Sequence, residues 1–241
     1  MDVLVVGAGA MGRWFAGSID EPVAFADADP AAAKRAATDV DGRAVDLDSE
    51  AAFDLVCIAV PMGATVAAIE AQAPRARDAV VDLSGVMAGP VAAMAEHAPD
   101  RERASLHPLF GPENAPGRIA VVAEAAGPRI DAVRAQLTAA GNGLFDTTPA
   151  EHDTAMETIQ ARTHAALLAF ALAAEDVPEP YGTPIYDGLR ALADDFLGGT
   201  PRVYADIQTT FEGADDVAEA ARRIAEADGE SFAGLYRDAR E

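Results

Sequence analysis

The feature that most constrains the fold is a glycine-rich turn near the start of the chain, Gly7-Ala8-Gly9-Ala10-Met11-Gly12. It follows the apolar run Val3–Val6 and opens a helix-forming stretch. Glycines at this spacing permit a tight turn, let backbone N–H groups approach a pyrophosphate at the helix start, and let the helix pack closely on the strand. The pattern predicts a dinucleotide-binding unit. Its expected cofactor-binding residues are Gly7, Gly9, Ala10, Met11 and Gly12.

A carboxylate at the end of the second apolar run indicates which dinucleotide is bound. Asp27 lies 20 residues after Gly7, where it would accept hydrogen bonds from an adenosine ribose and repel a 2′-phosphate. The alternative is that Asp27 is an exposed acid without a role in an acid-rich chain. The strand, the glycine turn, the helix and the acid nevertheless have the order and spacing of a dinucleotide-binding unit. We therefore expect NAD and not NADP. Val60 and Pro61, which follow a later strand, are expected to form walls of the cofactor cleft.

Short β-branched runs alternate with alanine-rich helical stretches from residue 2 to about residue 147. This alternation is typical of an α/β fold in which helices cover both faces of a doubly wound parallel sheet, here of Rossmann type. The runs are continuously apolar, as expected for strands buried on both faces. The predicted strands are Val3–Val6, Val23–Ala26, Leu55–Ala59, Ala79–Leu83, Ala104–Leu106, Ile119–Val122 and Gly143–Phe145.

The pattern changes at Thr148-Pro149-Ala150-Glu151, a capping box with proline at the first helical position. From there on the sequence predicts helices and no strand. We therefore expect two domains, an NAD-binding Rossmann domain over residues 1–147 and an all-helical domain over residues 148–241. The predicted helices run from about Pro149 to Ala174, Tyr181 to Leu197, Pro201 to Phe211 and Asp215 to Arg240.

The charge balance excludes some classes of partner. The chain has 40 acidic and 18 basic residues, a formal net charge of −22 at pH 7, and Lys34 is its only lysine. Nucleic acids and anionic membranes are bound through Lys and Arg, so neither is an expected partner. No apolar run approaches the roughly 20 residues that cross a bilayer, and the first residues lack the basic region of a signal peptide. We expect a soluble cytoplasmic protein, with an acidic surface typical of salt-loving organisms.

Two turns at strand ends carry candidate catalytic groups. One is Asp82-Leu83-Ser84-Gly85 and the other is Leu106-His107-Pro108. A histidine at such a strand end can take a proton from a substrate hydroxyl while hydride leaves the carbon beneath it. A lone histidine is more often structural, so both roles stay open for His107. The four histidines, at positions 97, 107, 152 and 164, have no metal-ligand spacing, and no metal site is predicted.

The motifs taken together resemble the prephenate dehydrogenase family over nearly the whole chain. The resemblance implies a Rossmann domain followed by a helical dimerisation domain, with His107 as the acceptor of the substrate proton. It also implies that Ser84 helps to hold His107 and the cofactor, and that Gln160, Arg162, Thr163 and His164 line the substrate pocket. The motifs that carry it are GAGAMG, DLSGVMAGP, HPLFGP, Glu151-His152-Asp153, Ile159-Gln160-Ala161-Arg162-Thr163-His164, Thr183-Pro184-Ile185-Tyr186 and Val203-Tyr204-Ala205-Asp206-Ile207.

The chain departs from this family's pattern at two places. The serine of the turn comes one position early, as Ser84, and Met87 stands where the family has a lysine. The family's arginine for a substrate carboxylate aligns with Asp195. Arg190 on the same predicted helix is the first replacement we consider, and Arg162 is the other.

We therefore expect NAD-dependent oxidative decarboxylation of prephenate to 4-hydroxyphenylpyruvate, with a homodimer formed through apolar helices of the second domain. Arogenate or another cyclohexadienyl acid is an alternative substrate, because a changed carboxylate contact alters substrate choice before it alters hydride transfer. A non-catalytic NAD-binding relative is the alternative from a different class. A competing family, the β-hydroxyacid dehydrogenases, uses a lysine in the helical domain. The only lysine of this chain, Lys34, lies in the nucleotide-binding half, so that mechanism is excluded.

Overall fold

The computed structural model describes residues 1–240. The chain divides into two compact units, Met1–Thr154 and the residues from Ala155 onward. The predicted boundary at 147/148 lies slightly earlier, so the first unit also contains the start of the helix that begins at Pro149. Within residues 1–240, no helix is both long and apolar enough to span a membrane.

The first unit is built on one eight-stranded sheet with the order β3-β2-β1-β4-β5-β6-β7-β8. The prediction of a Rossmann-type, doubly wound parallel sheet is confirmed, with one antiparallel pair in the sheet. The strands are β1 (Val3–Val6), β2 (Val23–Ala26), β3 (Arg43–Ala44), β4 (Phe53–Ile58), β5 (Ala76–Asp82), β6 (Glu102–Pro108), β7 (Arg118–Ala125) and β8 (Gly143–Asp146).

Two details of the sheet differ from the prediction. β7 runs antiparallel to β6, because the loop 109–117 between them is too short for the helical crossover that a parallel pair requires. β3 has only two residues, both exposed, and so carries no apolar pattern. All the other pairs in the sheet are parallel.

Apolar side chains fill both faces of this sheet. Along β1, Val3 and Val5 pack in one buried cluster, and Leu4 and Val6 pack in the other. This division follows from the alternation of side chains along a strand. The helices of the first unit are α1 (Ala10–Gly17), α2 (Pro30–Asp39), α3 (Thr65–Gln72), α4 (Ala88–His97) and α5 (Pro128–Ala139), followed by α6 (Pro149–Met156), which ends beyond Thr154.

The second unit contains helices and no strand among its described residues. A π-helical segment, Glu157–Arg162, precedes α7 (Thr163–Ala173). The predicted helix from Asp215 to Arg240 is wrong, because it is two helices. The first ends at Glu226, and the Asp228 carboxylate accepts the Ser231 N–H at 2.9 Å to start the second. The remaining helices are α8 (Pro184–Leu197), α9 (Pro201–Thr210), α10 (Gly213–Glu226) and α11 (Gly229–Asp238).

Candidate active site

The glycine turn has the geometry that its spacing predicts. Gly7 follows β1 with φ +106°, and a Cβ there would collide with the carbonyl oxygen of Ala59 at the end of β4. A Cβ on Gly12 would collide with the carbonyl oxygen of Gly7. Only glycine fits at these two positions, because any side chain would push α1 and the end of β4 away from the turn.

The third glycine leaves room above the turn. A Cβ built on Gly9 has no heavy atom within 4 Å, and Gly9 and Ala10 are exposed at the start of α1. The first N–H groups of α1 receive no hydrogen bond from a capping side chain at Gly9. The arrangement fits a pyrophosphate held by backbone N–H groups and the helix dipole. Met11, on the same turn, is half-buried.

Asp27 is tied to the glycine turn. One of its carboxylate oxygens accepts the N–H of Ala8 at 2.7 Å and the other accepts the N–H of Asp29 at 2.8 Å. Asp27 therefore shapes the glycine turn through hydrogen bonds on both of its carboxylate oxygens. Half-buried Val60 and exposed Pro61 follow β4, where Gly7 approaches Ala59.

The turn after β5 begins with a buried acid. One carboxylate oxygen of Asp82 accepts the N–H of Ser84 at 2.9 Å, and Ser105 stands opposite Asp82 on β6. Burial raises the pKa of Asp82 to about 7, although the hydrogen bonds from Ser84 and Ser105 act to lower it. The buried Ser84 hydroxyl accepts the N–H of Val86 at 3.4 Å. The next residue, Gly85, lies close to His107, because a Cβ there would be 3.5 Å from His107 Nε2.

His107 lies near the end of β6 and belongs to a chain of three side chains. Its Nδ1 lies 2.8 Å from Nε2 of His152, and Nδ1 of His152 lies 2.8 Å from a carboxylate oxygen of Asp153. Both rings are buried, at 6% and 3% exposure. His152 and Asp153 lie on α6, so this helix brings the carboxylate to the strand end. We call these residues the His107–His152–Asp153 chain.

The surroundings of the His107–His152–Asp153 chain favour the neutral form of His107. Burial, with a smaller contribution from His152, lowers the pKa of His107 to about 3, although Asp153 acts in the opposite direction. Burial acts to raise the pKa of Asp153, but hydrogen bonds from His152 and from the N–H groups of Met87 and Ala88 hold it below its usual value. Asp153 is therefore ionised at neutral pH, and His107 is an uncharged imidazole that can accept a proton.

The second unit contains the residues predicted to bind substrate. Gln160 and Arg162 lie in the π-helical segment, a kind of helix distortion that is frequent at functional sites. Arg162 pairs with Asp216 at 2.5 Å and donates to the Thr158 hydroxyl at 2.6 Å. The hydroxyl of Thr163, the first residue of α7, donates to the carbonyl oxygen of Thr158 at 2.9 Å.

Two further predicted residues of this unit differ in environment. The His164 ring packs against Phe196 and Tyr204, with centroids 5.3 and 4.9 Å away, and burial lowers its pKa. Its Nδ1 is buried and has no hydrogen-bond partner within residues 1–240. Arg190 forms an exposed pair with Asp194 at 3.0 Å on α8, the arrangement expected of a surface residue.

The structure thus gathers Gly7, Gly9, Asp27, Val60 and His107 at the ends of parallel strands in the first unit. No role was predicted from the sequence for His152, Asp153 or Asp82. The first two stand in the Glu151-His152-Asp153 motif, and a histidine and a carboxylate side by side in a motif were a usable signal. No group of three or more His, Cys, Asp or Glu side chains in the described part of the chain is arranged to hold a metal ion.

Comparison with known proteins gives the family. A family model described as "Prephenate dehydrogenase, nucleotide-binding domain" matches residues 17–123. A 4-amino-4-deoxyprephenate dehydrogenase from Streptomyces pristinaespiralis is 31% identical over 208 residues, which cover 79% of this chain and 70% of that protein. The chain belongs to the prephenate dehydrogenase family.

Other members of the prephenate dehydrogenase family are also similar. A probable arogenate/prephenate dehydrogenase from Methanocaldococcus jannaschii is 27% identical over 64% of this chain and 38% of that protein. The structure of prephenate dehydrogenase from Aquifex aeolicus with hydroxyphenyl propionate and NAD⁺ has a TM-score of 0.74 and 17% identity, covering 100% of this chain and 96% of that one. The structure of Synechocystis arogenate dehydrogenase shares the fold, with a TM-score of 0.64 and 17% identity. This match also covers 100% of this chain and 96% of that one.

The Asp27 carboxylate gives a test of cofactor choice. We expect the protein to bind NAD more tightly than NADP, because the carboxylate repels a 2′-phosphate. Asp27→Asn should weaken NAD binding roughly 10- to 100-fold, the loss expected for hydrogen bonds to a charged group, and should reduce the preference for NAD. Calorimetric titration with each dinucleotide measures both effects. Asp29→Asn, which alters an exposed helix cap two residues away, should keep the preference. Equal affinities of the unaltered protein for NAD and NADP would contradict the assignment.

Proposed function

We propose that the chain catalyses NAD-dependent oxidative decarboxylation of prephenate, with His107 as the general base. The observation that carries the proposal is the buried His107 at the end of β6, in the same unit as the glycine turn and Asp27. Membership of the family supports the reaction class. The motifs HPLFGP and Glu151-His152-Asp153 carry the resemblance to prephenate dehydrogenases, and we take prephenate as the proposed substrate from that resemblance.

The residues of the chain supply positioning and one proton transfer. The substrate hydroxyl gives its proton to Nε2 of His107, the carbon that bears this hydroxyl releases hydride, and the ring carboxylate leaves as CO₂. Bound NAD⁺ would supply the hydride acceptor. Loss of CO₂ makes the ring aromatic, so the protein need only bind, orient and deprotonate its substrate. Backbone N–H groups of the glycine turn and the Asp27 carboxylate would hold the cofactor, and we propose that Ser84 helps to position the turn beside His107.

A second candidate is a related cyclohexadienyl substrate. The Streptomyces pristinaespiralis relative is named for a 4-amino substrate, and the Synechocystis structure is of an arogenate dehydrogenase. Arogenate and 4-amino-4-deoxyprephenate therefore belong in the assay beside prephenate.

The assay follows NADH absorbance after each substrate is added with NAD⁺ in high salt. We expect prephenate to give the highest kcat/KM. His107→Asn should lower kcat by about 10²–10⁴-fold, the usual contribution of a general base, and should leave the affinity for NAD⁺ unchanged. A nearly active variant would make His107 structural, and no NADH from any substrate would favour a non-catalytic NAD-binding protein.

The substrate carboxylate needs a cation in this acidic chain, and we propose that Arg190 provides it, with Arg162 as the alternative. Arg190 forms an exposed pair with Asp194, and such pairs are weak enough to be exchanged. Arg162 is held by both Asp216 and Thr158. Gln160, Thr163 and His164 are proposed to complete the substrate contacts.

Replacing each arginine by alanine tests this role. Arg190→Ala should raise the KM for the preferred substrate, with a cost of about 2–5 kcal/mol if the substrate carboxylate loses a desolvated partner, and should barely change thermal stability. If Arg162→Ala raises KM and Arg190→Ala does not, Arg162 has the role. A KM unaffected by either change would indicate a substrate without that carboxylate contact.

We also propose a homodimer formed through the second unit. The apolar helix α7 has no buried side chain, and Leu172 and Ile185 are 79% and 85% exposed. Apolar surface of this kind is typical of an interface between subunits. Light scattering in molar salt should give twice the 24.9 kDa of one chain, and the mass of a monomer would contradict the dimer. A salt-adapted cytoplasmic setting stays a prediction based on the charge of −22.

A further inference from the structure

We propose that His152 and Asp153 are positioning residues that fix the ring orientation and tautomer of His107, so that its Nε2 carries the lone pair. The proposal rests on the proposed role of His107 as base. It assigns functions to two residues of α6 that do not themselves need to touch substrate.

The direction of the hydrogen bonds follows from the acid at one end. An ionised carboxylate can only accept, so Nδ1 of His152 carries a proton and donates it to Asp153 across 2.8 Å. A neutral His152 then has its lone pair on Nε2. We infer that Nδ1 of His107 donates to that lone pair, also across 2.8 Å. The lone pair of His107 is thereby placed on Nε2, the nitrogen 3.5 Å from the Cβ position of Gly85.

The same carboxylate compensates the charge that forms during the reaction. When the substrate O–H bond breaks, its proton forms a bond to Nε2 and His107 becomes an imidazolium. Burial disfavours that cation, and Asp153 is the group that raises the pKa of His107. His152 connects the two by a hydrogen bond at each of its nitrogens. Without the Asp153 carboxylate, protonation of His107 would create a buried cation that no negative charge within the His107–His152–Asp153 chain compensates.

Asp153 also fixes the turn that faces His107. Its carboxylate oxygens accept the N–H groups of Met87 at 2.9 Å and Ala88 at 3.0 Å, at the start of α4. This turn contains Ser84 and Gly85. The Asp153 carboxylate therefore positions both the His107–His152 pair and the backbone turn beside Nε2 of His107.

A purely structural role for Asp153, as the cap of α4, makes different predictions. Glu102 offers a matched control in the same unit, because its carboxylate accepts the N–H groups of Arg129 and Ile130 at 2.8 and 2.9 Å, at the start of α5. No histidine contacts Glu102 in the hydrogen bonds described. Asp153→Asn and Glu102→Gln each remove one charge from a similar pair of backbone contacts.

The kinetic test compares Asp153→Asn, His152→Gln and Glu102→Gln. We expect Asp153→Asn and His152→Gln to lower kcat at least ~10-fold but no more than removal of the base itself, with KM and NAD⁺ affinity unchanged. The solvent deuterium isotope effect should rise in both, because proton transfer becomes slower, while the isotope effect from deuterium at the oxidised carbon should fall. Glu102→Gln should keep kcat and both isotope effects. Equal losses in Asp153→Asn and Glu102→Gln, or unchanged isotope effects, would overturn the proposal.

A second measurement is independent of turnover. The protein has only four histidines, so ¹⁵N-histidine labelling gives few signals, which His107→Asn and His152→Gln assign. We expect the Nδ1–H tautomer for both His107 and His152 in the unaltered protein. An Nε2–H tautomer at His107 would overturn the proposal even if the enzyme is active. If no substrate yields NADH while both rings show the expected tautomer, the proposed function fails and the hydrogen-bond chain stands.

Discussion

The functional residues depend on one constraint, the shared direction of the strands β1, β2, β4, β5 and β6. Because parallel strands end at the same edge of a sheet, the turns that follow them meet there. Residues far apart in sequence, such as Gly7, Asp27 and His107, are gathered at that edge although no local motif contains them together. The antiparallel β7 lies beyond β6 and does not disturb this arrangement.

Carboxylates that accept backbone N–H groups shape the turns at this edge. Asp27 holds the glycine turn, Asp82 holds the turn after β5, and Asp153 holds the start of α4. The three acids differ in charge state for a physical reason. Asp82 is fully buried, and this burial raises its pKa. Asp153 receives hydrogen bonds on both oxygens and stays ionised.

Sequence reasoning succeeded where the information is local. The glycine turn, its strand and helix, and the parallel sheet follow from spacing and apolar runs within short windows. It failed where a structure depends on distant or weak signals. The short β3 has no apolar pattern, the antiparallel β7 depends on loop length, and the break near Asp228 is a single capping residue. The contact between His107 and His152 joins positions 45 residues apart, and no periodicity in either segment indicates it.

We propose that the cofactor and His107 occupy the same edge of the first unit. Addition of NAD⁺ to protein with ¹⁵N-labelled histidines tests this most directly, because His97 ends α4 at the opposite edge of the sheet and serves as an internal reference. We expect saturating NAD⁺ to shift the ring signals of His107 and to leave those of His97 in place. Saturation by calorimetry with His107 unshifted, or with His97 shifted as much as His107, would contradict it.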